Sequence, residues 1–236
     1  MSKGLIAAVR AALERDATIN LHEQPRVEIG FEDGTVVLRG EVVDVGVKRR
    51  IAHRVAVVRG VGSVSDRLRV VPAEPRGDGA IREGLYARIA SEPVFRGYAV
   101  GIDDQAIGTP SGEEHLILIG ASAGAVILSG RVGSLSHRRF ADVLAWWTPG
   151  VADVDNRLLV RPPEDDSDDE ITDALRLVFE KDPSVDSSRI GITTRQARVR
   201  LDGLVHSAEQ KRHAELDAWC ILGVHAVDNR LEVRTA

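Results

Sequence analysis

Residues 36–42 read VVLRGEV, and the same apolar spacing around a central glycine returns at 126–132 as VILSGRV and at 199–205 as VRLDGLV. Each of these glycines has a second one twenty residues downstream, which pairs Gly40 with Gly60, Gly130 with Gly150 and Gly203 with Gly223. From the second glycine the chain reads GVGSVSDRLRV (60–70), GVADVDNRLLV (150–160) and GVHAVDNRLEV (223–233), with Leu68, Leu158 and Leu231 always eight residues on. Upstream, Leu5, Ile81 and Ile171 each stand eleven residues before an acidic residue, Asp16, Glu92 or Asp182, that closes a helical stretch. Chance does not hold three such registers, so the chain is a tandem array of units of roughly seventy residues. Solenoid repeats of about 20–50 residues cannot bury a core alone; a unit of this length with several elements is a small domain.

In the first copy Val36, Leu38, Gly40 and Val42 share one strand face, and Val37, Arg39 and Glu41 share the other. This period of two marks a half-buried strand, and a one-residue slip would turn every apolar side chain outward. An earlier strand carries Val27, Ile29 and Phe31, then Ile117, Ile119 and Ala121, then Ile190, Ile192 and Thr194. The short links Asp33-Gly34, Ala123-Gly124 and Gln196-Ala197 make each pair of strands a hairpin, with the Asp-Gly link the strongest signal. Asp44, Ser134 and Ser207 are placed to cap a following helix, and Gln210 completes a capping box with Ser207. The helical stripes Ile51, Val55, Val58; Ala141, Leu144, Ala145; and Ala214, Ala218, Ile221 face inward, and the second glycine stops each helix. A third strand closes the unit. The expected fold is α+β: three tandem αββαβ domains, each a three-stranded sheet with two helices on one face and the other face available. The first glycine then lies on the covered face, where a side chain would collide with a crossing helix.

Proline and charge cluster between the copies and set boundaries at 1–72, 78–162 and 167–236. The second copy is longer than the first by about fourteen residues between Arg96 and Glu114, a stretch containing Gly97, Gly101, Gly108, Pro110 and Gly112. The acidic run from Glu164 to Glu170 favours a helix N-terminus, with Ser167 and Glu170 forming a capping box.

At 236 residues, 43% hydrophobic and 28% charged, the chain is globular, and with only 4% aromatics its cores must be built from Val, Leu, Ile and Ala. A net charge of −5 argues against nonspecific nucleic-acid binding, which needs a basic surplus. Cys220 is the only cysteine, which excludes an intramolecular disulfide and a thiolate metal cluster. The start MSKGLIAAVRAALERD reads as an amphipathic helix, not an export signal, and no apolar run reaches membrane-spanning length, so a cytoplasmic protein is expected, peripheral at the inner membrane if it touches one. No HExxH, GxSxG or Walker loop is present, and Cys220 has no recognisable histidine partner; GSVSDR and GTPSGEE lack the lysine of a phosphate loop. No catalytic residue, cofactor or metal ligand is expected.

The strand glycines Gly40, Gly130 and Gly203, the pairs Gly60-Val61, Gly150-Val151 and Gly223-Val224, and the terminal V-x-[DN]-x-L-x-V pattern resemble the BON domain family over nearly the whole chain. That resemblance implies a noncatalytic bacterial module that binds phospholipid membranes or envelope components, with links to osmotic stress, and potassium binding in some cytoplasmic members. Familiar members are exported; this chain shows no export signal and no lipobox cysteine.

The candidate contacts for an anionic membrane or a protein partner are the dibasic pairs Lys48-Arg49, Arg138-Arg139 and Lys211-Arg212, which recur in the second turn of one helix in each copy. Near a charged membrane each exposed Lys or Arg contributes about 1 kcal/mol, and the three copies would act together. Trp146, Trp147 and Trp219 join them; Trp146 and Trp219 hold the same repeat position, where the first copy has Ala56. Packing between domains or at a dimer interface explains these tryptophans equally well. Asp66, Asn156 and Asn229 put a polar group on the covered face of the last strand, where it must find hydrogen bonds. Asp103, Asp104, Glu113 and Glu114 flank the long loop; solvated carboxylates are the expected reading, and a cation held by their oxygens is the alternative. The leading expectation is a membrane- or partner-binding protein; the alternatives are a potassium-responsive ion-binding protein and a self-assembling scaffold, and an oligomer is compatible with each.

Overall fold

A computed structural model describes residues 2–16, 19, 27–102 and 115–234. They fall into two compact bodies, Met1–Val71 and Pro72–Ala236. The loop carboxylates Asp103, Asp104, Glu113 and Glu114 lie outside the described residues.

The first body runs α1 (Ser2–Glu14), β1 (Glu28–Glu32), β2 (Thr35–Val42), α2 (Val45–Ala56) and β3 (Ser63–Val70). Strand β2 is central, antiparallel to β1 and parallel to β3 across the α2 connection. Its alternating side chains do what the period requires: Val36, Leu38 and Val42 are buried with Leu68, against Val9 and Leu13 of α1 and Ile51 and Val55 of α2. Val37 is an exception to the polar outer face, being only 1% exposed.

The second body contains the second and third copies. The second copy consists of α3 (Asp78–Ser91), β4 (Ala99–Ile102), β5 (Leu116–Ser122), β6 (Ala125–Val132), α4 (Leu135–Trp146), β7 (Asp153–Asn156) and β8 (Leu159–Val160). The third consists of α5 (Asp168–Lys181), β9 (Ile190–Arg195), β10 (Arg198–Val205), α6 (Ala208–Cys220) and β11 (Ala226–Val233). Both keep the antiparallel hairpin and the parallel crossover of the first body. The αββαβ plan thus recurs three times, with one addition. Part of the long insertion of the second copy forms β4, which extends the sheet by pairing in parallel with β5. The last strand of that copy is also divided, into β7 and β8.

The strand glycines have a different cause from the one expected. Gly40, Gly130 and Gly203 have φ of +119°, +121° and +130°, a region L residues rarely adopt. A Cβ on Gly130 would strike the Leu116 carbonyl, and one on Gly203 the Arg189 carbonyl. The obstacle is the backbone of the neighbouring chain segment, not a crossing helix. The second glycines do not directly cap the helices: α2 and α4 end four residues earlier and α6 three, and the glycine, at φ near +92° to +97°, turns the chain into the final strand.

The hairpins are held by carboxylates that the repeat pattern did not single out. Gln196 and Ala197 are both left-handed, at φ +52° and +57°, strain that non-glycine residues tolerate only when fixed from outside. Asp168, in the first turn of α5, accepts both their N–H groups at 2.7 and 2.8 Å. Asp78 does the same in the second copy, accepting from Ala123 and Gly124 at 2.9 and 2.8 Å. In the second and third copies the first helix is therefore pinned to the turn of its own hairpin. Asp44, Ser134 and Ser207 cap α2, α4 and α6, accepting from Val47, His137 and Gln210.

Candidate functional site

Helix α4 buries Arg139 through Ala145 without interruption. A helix lying on a sheet should bury one stripe and leave the other wet; burial all round requires a second partner. That partner is the third copy, whose α5 and α6 pack against α4. At this seam between the two copies Arg139 and Trp147 make their contacts.

Arg139 is 2% exposed. Its Nε donates to the Leu222 carbonyl at 2.9 Å, and Nη2 meets Asp166 at 2.6 Å. Trp147, at the C-terminal cap of α4, donates its indole N–H to Asp217 of α6 at 3.0 Å. Trp219 is 3% exposed and Trp146 is partly buried. The linker carboxylates serve the same seam: Glu164 accepts the Leu135 N–H at the start of α4 at 2.7 Å, and Glu170 faces Ser136. Lys181 at the end of α5 pairs with Glu92 beyond α3 at 3.2 Å.

The first basic residue of each pair also points inward. Lys48 is 7% exposed; its Nζ donates to the Leu68 carbonyl at 2.6 Å and lies 3.1 Å from Asp66. Lys211 donates to the Leu231 carbonyl at 2.7 Å, and Arg138 to the Asn156 carbonyl at 3.2 Å. The pairs sit over the last strand of each copy, where a long cationic side chain can reach a carbonyl and cover apolar surface with its stem. The same strand supplies Asp66, Asn156 and Asn229, whose Oδ1 atoms accept from Leu68, Leu158 and Leu231 two residues on. The two asparagines also donate back, at 2.9 Å, to the carbonyls of Arg138 and Lys211. Asp66 has no N–H to donate, and there the Lys48 ammonium supplies the link instead. Of the six basic residues only Arg212 is exposed; Arg49, Arg138 and Lys211 are half-buried. In the second body the pairs do not form an exposed cationic array.

Sequence reasoning missed a cluster in the second copy. Tyr98 stacks on His115, and its hydroxyl lies 2.7 Å from His137 Nδ1 while accepting the Gly133 N–H at 2.9 Å. Phe95 packs against Tyr98, His137 and Phe140. Burial, then the neighbouring His115, lowers the His137 pKa, and Glu164 opposes them; burial raises that of Tyr98 against the pull of the Gly133 hydrogen bond. The insertion itself supplies only Tyr98; Phe95 and His115 flank it, and His137 and Phe140 come from α4, so no single stretch of the sequence reveals the cluster. Among the described residues no three His, Cys, Asp or Glu are grouped to hold a metal, and no helix is long and apolar enough to cross a membrane.

The fold is thus a small αββαβ module repeated three times, with one added strand in the second copy. The BON domain family matches residues 3–72, 118–162 and 167–235, and the chain belongs to that family. Among solved structures it is similar to CdsD, a structural protein of the type III secretion system of Chlamydia trachomatis, at 17% identity and a TM-score of 0.27, covering 99% of this chain and 93% of that one. A second structure, of the CdsD C-terminal domain, gives 17% identity and a TM-score of 0.24, covering 98% and 97%. No curated protein matches the chain.

Proposed function

We propose that this chain is a noncatalytic tandem-BON binding protein that engages a protein partner, with the second and third modules acting as one rigid unit. The observation that carries the reading is the inward use of the recurring cations: Lys48 and Arg139 are buried, and Arg138 and Lys211 are bonded to strand carbonyls. Electrostatic attachment to anionic lipid draws on exposed charge, about 1 kcal/mol for each Lys or Arg at the surface. Buried and bonded residues contribute little of that, and the net charge of −5 opposes it. What stays open in the third module is sheet surface. It is a ladder of opposite charges, with Arg200 and Asp202 joined at 2.6 and 2.8 Å and Arg230 and Asp228 at 2.9 Å. Such alternation suits the register-sensitive polar rim of a protein contact more than a uniformly negative lipid surface.

Sedimentation with vesicles of anionic phospholipid at low and high salt tests the choice. The protein should stay in the supernatant at both; salt-sensitive pelleting would return the membrane reading.

A further inference from the structure

Among the described residues, the seam between the second and third modules includes a buried carboxylate oxygen without a hydrogen-bond partner. Asp217 is 4% exposed on α6. Its Oδ1 accepts the Trp147 indole N–H, while Oδ2 is buried and receives no donor. Beside it stands a second carboxyl, Asp182, at the C-terminal cap of α5. Asp182 accepts the Ser184 N–H at 2.8 Å. Two adjoining carboxylates cannot both ionise in a buried site without a large cost, and the protons of such a pair belong to both. A proton on Oδ2 removes the second charge and turns a bare acceptor into a donor toward Asp182.

We infer that Asp217 and Asp182 share one proton beneath Trp147, so that the packing of the third module against the second is a pH-sensitive contact that tightens in acid and loosens in alkali. Burial comes first, then the charge and hydrogen bond of Asp182; together they push Asp217 up to about 8, and the Trp147 donor offsets this only in part. The cations nearby are engaged elsewhere: on α5, Lys181 pairs with Glu92 from the end of α3. On α4, Arg139 holds Leu222 and Asp166, and the buried Asp142 lies on the same helix. On α6 itself, His213 faces Glu209, and Glu215 accepts from Asn229.

The sign follows from linkage. The folded carboxyl holds its proton to a higher pH than the unfolded one, whose pKa is about 3.9. Its contribution is therefore fully present below that value and is lost as pH rises toward about 8. Within this window one proton separates the two states, so each pH unit lowers the folding equilibrium about tenfold relative to a chain lacking the group.

Two measurements on the full chain test this. In urea unfolding from pH 5 to 9, followed by tryptophan fluorescence, wild type should lose stability relative to Asp217→Asn as pH rises, because asparagine keeps the Trp147 acceptor and donates permanently to Asp182. The Trp147 indole N–H resonance of the wild type, assigned by its loss in Trp147→Phe, should titrate with a midpoint above neutrality. A midpoint near the ordinary carboxylate value, no titration, or parallel pH profiles for wild type and Asp217→Asn would each overturn the inference. The resonance is read on wild type, so the test stands even if Asp217→Asn does not fold.

Discussion

Replacing Arg139 by methionine separates a seam residue from a surface contact. Methionine keeps much of the stem volume and removes the guanidinium. The Leu222 carbonyl then loses a charge-assisted hydrogen bond of 2.9 Å inside the body, a loss of about 1.5–3 kcal/mol. The Asp166 pair adds at most about 1 kcal/mol, because that carboxylate is 59% exposed and screened. The expected loss is therefore about 2–4 kcal/mol. With a urea m-value of about 1–3 kcal/mol per molar, the midpoint should fall by roughly 1–2 M. All three tryptophans lie in the second body, at 146, 147 and 219, so intrinsic fluorescence reports that body alone. Arg212, nine residues after Gly203 as Arg139 is after Gly130, is exposed and supplies the control. Arg212→Met should change stability by no more than about 0.5 kcal/mol. Equal, small losses for the two variants would refute the reasoning.

Gly203→Ala forces a Cβ into the Arg189 carbonyl at φ +130°; it should cost at least about 2 kcal/mol and lower the melting temperature by roughly 5–10 °C, whereas Gly62→Ala, in open space, should be close to neutral. Asp168→Ala frees the Gln196 and Ala197 N–H groups of a strained turn and should cost about 1–3 kcal/mol, with faster hydrogen exchange at both amides and partial rescue by Ala197→Gly. Asn229→Ala leaves the Leu231 N–H and the Lys211 carbonyl without their side-chain partner and should cost about 1–3 kcal/mol by denaturant titration.

The repeat made the fold legible because each of its signals has a local cause. Period-two alternation fixed β2, β6 and β10, and the capping side chains of Asp44, Ser134 and Ser207 fixed where the next helices begin. The strand β4 was not legible: it has no counterpart in the other copies and lies within a glycine-bearing insertion. The surroundings of the dibasic pairs were not legible for a different reason. A dibasic pair on a helix looks the same whether it faces water or a strand carbonyl, and Lys48, Arg138 and Lys211 differ from surface cations only through the strand end beneath them. Arg139 and Arg212 hold one repeat position, yet only Arg139 has a neighbouring module over it. Burial at a seam between copies is a property of the assembled pair, and no single copy encodes it. The acidic linker was read as caps, and Ser167 does cap α5; the links from Glu164 to α4 and from Asp166 to Arg139 needed three-dimensional proximity to be seen.

Native-state hydrogen exchange resolved by residue tests most directly whether the second and third modules are one body. Buried α4 amides, from Phe140 to Leu144, and those of α5 and α6, from Leu175 to Phe179 and at Ala218, should open with a common free energy and m-value, and Arg139→Met should lower all of them together. Exchange in α5 and α6 through a separate, lower-energy opening that leaves α4 protected would contradict the account.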